Sequence, residues 1–131
     1  YVHRIKAGED VVTDEGQLFK FEELTLPRKP ILSYAFCSDT AYWETIVPNI
    51  KGATALYHEA TFVDAHKANA KKTLHSTASQ AARIAQMAGV KNLYMGHLSA
   101  RYADTDQHVL EAKEHFENSV YVEDGYKIWI K

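Results

Sequence analysis

The chain reads as an α/β protein. Three short runs of strand-forming residues, at 31–37, 54–57 and 91–95, alternate with helical patterns, which is the order of a layered α/β protein. The clearest helix opens on a capping-box pair, Thr77 and Gln80. Ala81, Ile84, Ala85 and Ala88 then recur at helical spacing, and Gly89 supplies the stop. All three runs end on residues with chemistry to offer: Asp39, His58 with Glu59, and His97.

Taken in order, residues 1–30 read as irregular, apart from a loose alternation over 11–21 around Asp14-Glu15-Gly16 that suggests a short hairpin. Pro27 and Pro30 then interrupt any regular element. The run ILSYAFC at 31–37 is apolar and rich in strand formers, and reads as a buried strand. A short helix to about Pro48 follows, then a second buried strand at 54–57. The helix that Thr77 caps leads straight into the third strand at 91–95. Asp104 or Thr105 can cap another helix, with Val109, Ala112 and Phe116 on its inner stripe. The tail reads as a hairpin: Val120 and Val122 alternate, Asp124-Gly125 turns the chain, and Ile128 and Ile130 alternate back.

With 131 residues, 46% of them apolar and 24% charged, the chain has the composition of a globular domain or of part of a larger one. A formal charge of −2 gives no general basic field, so any nucleic acid must be held by a local patch or by metal ions. One cysteine rules out a disulfide framework within the chain and suits a reducing cytoplasm. No apolar run approaches the roughly 18 residues of a membrane span, and no signal peptide opens the sequence. It begins at Tyr1 without an initiator methionine, which fits a fragment or a processed product.

A strand end is a rigid platform, and the edge beyond the strand ends is where layered α/β proteins place their sites. From spacing alone, Asp39 serves equally well as the cap of the helix that follows. The seven histidines include no H-x-H or H-x-x-x-H arrangement, so no local metal motif is present. His108 and His115, one heptad apart, read as an exposed polar face, and His66 in its lysine-rich stretch reads as solvent-facing. Cys37 reads as a packed strand residue.

Four strings change these weights when taken together. Cys37-Ser38-Asp39-Thr40, His58-Glu59-Ala60-Thr61, His75-Ser76-Thr77 and Gly96-His97-Leu98-Ser99-Ala100-Arg101-Tyr102 resemble, in that order and spacing, the second half of ribonuclease Z. That family comprises the dinuclear-zinc nucleases of the metallo-β-lactamase superfamily that trim tRNA 3′ ends. The resemblance implies that Asp39 bridges two metals, since a carboxylate offers two oxygens, and that His97 binds the second zinc. It implies that Glu59 and His75 relay a proton to the leaving 3′ oxygen, with His58 as support behind them. It places Arg101 on an RNA phosphate, with Ser99 in the same S-x-R-Y segment. The opening segment resembles a loop that positions the RNA 3′ end, where Arg4 and Lys6 could serve. Without the family, Arg101 is an ordinary surface arginine, and His75 and Ser76 merely begin a helix.

The resemblance further implies that residues 1–131 are the C-terminal part of a metallo-β-lactamase-fold domain, a four-layer αββα sandwich. The N-terminal half, with its H-x-H-x-D-H cluster, is absent from the sequence. Such a piece is expected to expose the inner face of its sheet, to hold zinc weakly or not at all, and to lack activity alone. The expected partners are precursor tRNA, the missing half and a second copy in a homodimer, with no membrane. Two other readings stay open: a general zinc phosphodiesterase of the same family, and a non-catalytic RNA-binding or interaction domain.

Overall fold

The computed structural model describes residues 1–131, which form two compact units, Tyr1–Ile31 and Leu32–Lys131. In the first, a hairpin pairs β1 (Val11–Val12) with β2 (Leu18–Phe19) in antiparallel register. Its turn closes where Gly16, at φ 84°, donates its N–H to the Thr13 carbonyl at 2.8 Å. The hairpin expected from the alternation is therefore present. One-turn helices α1 (Val2–Lys6) and α2 (Phe21–Leu24) flank it, where irregular chain was expected. Neither buries a residue, so neither has a periodic stripe to read; α2 is started instead by the Asp10 carboxylate, which accepts the Phe21 N–H at 2.8 Å.

The second unit is built on a four-stranded parallel sheet, β3 (Tyr34–Cys37), β4 (Ala55–Glu59), β5 (Asn92–Gly96) and β6 (Ser119–Tyr121), ordered as in the chain. Between the strands lie a 3₁₀ turn at Glu44–Ile46 running into α3 (Val47–Ile50), then α4 (Lys67–Thr73), α5 (Ala78–Ala88) and α6 (Asp106–Lys113). The capping box at the start of α5 forms as expected: Thr77 Oγ1 accepts the Gln80 N–H, and the Gln80 side chain accepts the Thr77 N–H. Small side chains on α5 (Ala81, Ala82, Ala85, Ala88) let it lie close to Leu56, Leu93 and Met95 of the sheet, and Ala112 of α6 joins that core.

The opposite sheet face carries Phe36, Tyr57, Tyr94 and Val120 in one register across all four strands. Phe36 and Tyr57 stack, with ring centroids 4.8 Å apart. This face stands open: Tyr34 is 49% and Phe36 65% exposed. The expectation of a buried first strand is corrected accordingly. It is an edge strand that starts only at Tyr34, and apolar content alone cannot show whether one face or two are covered.

Two further expectations are corrected. The tail is not a hairpin: β6 pairs in parallel with β5, and the turn at Asp124-Gly125 leads into chain without a strand, where Trp129 is 79% exposed. Val120 pairs with Tyr94 of β5, so the segment that the alternation offers as the first hairpin arm is taken by the sheet. In α6 the fully buried residues are His108 and Ala112. His108 thus lies inward, where an exposed polar face was expected.

Candidate active site

The C-terminal ends of three parallel strands meet at one edge of the sheet. Glu59 ends β4 and is completely buried. Its Oε1 accepts the backbone N–H of Thr40 at 3.2 Å and of Ser76 at 3.1 Å, and lies 2.7 Å from His75 Nδ1. Its Oε2 accepts the N–H of Thr61 at 3.1 Å and its hydroxyl at 2.8 Å. Three backbone donors, one hydroxyl and one imidazole thus converge on a single buried carboxylate, which satisfies the requirement that such a group be fully hydrogen-bonded. His75 donates from Nδ1, leaving Nε2 free.

Thr61 then decides the state of His97. Its one hydroxyl proton goes to Glu59, so at 2.9 Å from His97 Nδ1 it can only accept. His97 therefore carries its proton on Nδ1 and keeps a lone pair on Nε2, the tautomer a metal ligand needs. That Nε2 lies 3.3 Å from Asp39 Oδ1. Asp39, His75 and His97 each bring a ligand atom within 4.8 Å of the others, and the two imidazoles stack at 5.1 Å. Tetrahedral bonds of roughly 2.0–2.1 Å place neighbouring ligand atoms about 3.3 Å apart, so the Asp39–His97 pair fits a shared cation.

The backbone is shaped to deliver His97. Gly96 passes so close to Tyr57 that a Cβ there would lie 2.9 Å from two of its ring carbons. His97 itself sits at φ 68°, a left-handed conformation that costs a non-glycine residue free energy and persists at sites where the surroundings impose it.

His58 is fully buried, with Nδ1 2.7 Å from the Glu59 carbonyl and Nε2 without a partner. Burial lowers its pKa, outweighing the pull of the Glu59 carbonyl and carboxylate. Burial pushes the half-buried Cys37 thiol up, as expected of a packed strand residue rather than a reactive one.

On the rim, Arg101 holds its guanidinium 5.3 Å from the centre of the Phe62 ring. The Asn69 amide, turned with its oxygen toward the guanidinium, accepts from both terminal nitrogens at 3.0 and 3.2 Å. Ser99 is tied in through its N–H, which donates to the Thr61 carbonyl at 3.2 Å. Tyr102 Oη accepts the Val63 N–H at 3.1 Å and lies 2.6 Å from His66 Nδ1, so His66 is a half-buried, bonded residue and not the solvent-facing one expected. Arg4 and Lys6 lie on α1 of the first unit, where Arg4 Nε pairs with Glu9 at 2.9 Å.

Thr61, the amides of Thr40 and Ser76, and Gly96 were given no role by the sequence. All four stand within the four strings, adjacent to Asp39, His75 and His97 or two residues beyond Glu59.

Comparison with known proteins follows the same line. Two solved structures share the architecture. A metallo-β-lactamase fold protein, YhfI from Bacillus subtilis, superposes with a TM-score of 0.66 at 25% identity, over 73% of this chain and 39% of that one. The short form of human tRNase Z superposes with a TM-score of 0.54 at 30% identity, over 72% and 31%. The fold is thus that of the metallo-β-lactamases, of which this chain supplies one sheet and its helices.

Within that class the sequence resembles ribonuclease Z over nearly its whole length. It is 46% identical to the ribonuclease Z of Bacteroides fragilis over 95% of this chain and 41% of that one. It is 46% identical to that of Parabacteroides distasonis over 97% and 42%, and 42% identical to that of Phocaeicola vulgatus over 99% and 42%. The chain therefore spans about two fifths of the length of the curated relatives it matches. No protein-family profile matches it.

Proposed function

We propose that this chain is the C-terminal portion of a zinc-dependent endoribonuclease that removes 3′ trailers from precursor tRNA in the cytoplasm. The supporting observation is the gathering of Asp39, His75 and His97 around one point, with Glu59 buried behind His75. No helix of the chain is long and apolar enough to cross a membrane.

Asp39 and His97 would hold metal, and a bound zinc pair supplies a Lewis acid for the phosphoryl oxygen and a water of lowered pKa. The chain's own residues do the rest. As the water oxygen bonds to phosphorus, the P–O3′ bond breaks, and His75, oriented by Glu59 through Nδ1, delivers a proton from Nε2 to the departing 3′ oxygen. The products are a 3′ hydroxyl and a 5′ phosphate. Arg101, braced by Phe62 and Asn69, presents its remaining donors to an RNA phosphate.

The remaining ligands come from the other portion of the protein, whose sheet covers the open aromatic face and completes the sandwich. Alone, this chain offers three donor groups and is expected to bind zinc weakly and cleave nothing. In the assembled enzyme we propose a homodimer. The test is cleavage of a 3′-extended tRNA by this chain joined to its missing portion, with zinc content measured on the same sample. Loss of cleavage in Asp39→Asn and His75→Ala is expected. Cleavage of small phosphodiesters with no action on tRNA would leave only a general phosphodiesterase.

A second reading is favoured by the position of His75 within ligand distance of the other two: it is a third metal ligand. Under that reading His75→Ala lowers zinc content; under the proton-relay reading zinc content holds while turnover falls.

A further inference from the structure

A cavity opens beside His75, and Asp39 is not among its lining residues. It measures about 490 Å³ and lies between the loop after β3, helix α4 and the first turn of α5. Its walls combine chemistry of three kinds. Ala41, Ala68 and the ring of Tyr42 are apolar; Lys67 and Lys71 stand one helical turn apart on the same face of α4; and His75 closes the side toward the candidate active site.

Each wall is available for a ligand. Neither lysine is ion-paired. The Tyr42 hydroxyl donates to Glu44 Oε1 at 2.6 Å, and its pKa is pushed up to about 12, chiefly by burial and then by that bond. Its ring is thereby fixed and neutral. The Gln80 oxygen is taken by the capping box, which leaves its NH₂ group as a donor on the cavity wall. An aromatic plane, two unpaired cations and one amide donor are what single-stranded RNA binding uses, and the volume suits a single nucleotide.

We propose that this cavity receives the nucleotide whose 3′ oxygen departs, with its base against Tyr42 and the phosphate on its 5′ side between Lys67 and Lys71. The choice of nucleotide rests on the reading of His75 as proton donor, because the group that protonates the 3′ oxygen must adjoin that ribose.

The test is binding of a 5′-fluorescein-labelled pentaribonucleotide with a free 3′ hydroxyl to the full 131-residue chain in EDTA, followed by fluorescence anisotropy across a salt series. Lys67→Ala/Lys71→Ala is expected to weaken binding about tenfold and to flatten the slope of log K against log salt by about 0.7, the value of one phosphate contact on a single strand. Lys51→Ala/Lys113→Ala, with the same change in net charge, is expected to stay within about twofold. Equal losses in both double variants, or no loss in the first, overturn the proposal. Inorganic phosphate that competes as well as the oligonucleotide also overturns it, because the base then contributes nothing. Metal-dependent hydrolysis of bis(p-nitrophenyl) phosphate by the assembled, unsubstituted protein is measured separately. Its absence counts against the nuclease reading, while binding that ignores Lys67 and Lys71 counts against this cavity alone.

Discussion

The Thr61 hydroxyl stands 2.9 Å from His97 Nδ1 and gives its only proton to Glu59. Thr61→Val keeps the shape and removes that bridge, leaving a buried-side donor on His97 and an empty position on Glu59. A loss of about 1–3 kcal/mol in urea unfolding is expected, together with a 10–100-fold loss of metal affinity by calorimetric titration in the assembled protein. Thr61→Ser is expected to recover most of both.

Glu59→Gln places an amide where five donors converge. The amide oxygen can face only one group of them, so its NH₂ must oppose the other. The expected destabilisation is about 3 kcal/mol or more, read as a drop in the urea midpoint at unchanged m-value.

Gly96→Ala drives a methyl group into the Tyr57 ring, 2.9 Å from two ring carbons. Overpacking of this kind costs about 1–3 kcal/mol. Because the phenol group is the obstacle, Tyr57→Leu is expected to cost less in the Gly96→Ala background than alone. A double-mutant cycle showing simple additivity would mean that the two residues do not press on each other.

His108 is fully buried against the rings of Tyr102 and Tyr121, with no well-formed hydrogen bond to either nitrogen. Burial holds its pKa below the usual 6.5, against weaker upward pulls from the Thr61 backbone and the Glu111 and Asp104 carboxylates. His58 is lowered for the same first reason. The unfolded chain thus binds protons that the folded chain refuses. Stability is full above pH 6.5 and falls as the pH drops below it, until the folded-state pKa is reached. Each group contributes a slope of up to about 1.4 kcal/mol per pH unit. Urea unfolding from pH 7.5 to 5 is expected to show this decline, and His108→Leu to flatten it.

The middle of the fold was legible because its signals are local. The capping box of Thr77 and Gln80, the alanine stripe and Gly89 define α5 without reference to anything distant. The tail misleads because Val120, Val122, Ile128 and Ile130 alternate as a hairpin would, while β6 takes its partner from β5, far away in sequence. His108 misleads because one histidine per heptad looks the same whether it faces water or Tyr121. In the site, the four strings marked the strand ends and the His75 turn, but the wiring among them was invisible. It runs through backbone amides of Thr40 and Ser76, which any residue could have supplied.

One carboxylate orients both imidazoles: His75 directly, and His97 through a single hydroxyl. Under the proposed function, metal preference and acid–base behaviour are therefore not independent variables in this protein. A substitution chosen to retune one will move the other in the same step. Attempts to give the site a different metal should begin at Asp39, the donor that stands outside that wiring, rather than at either histidine.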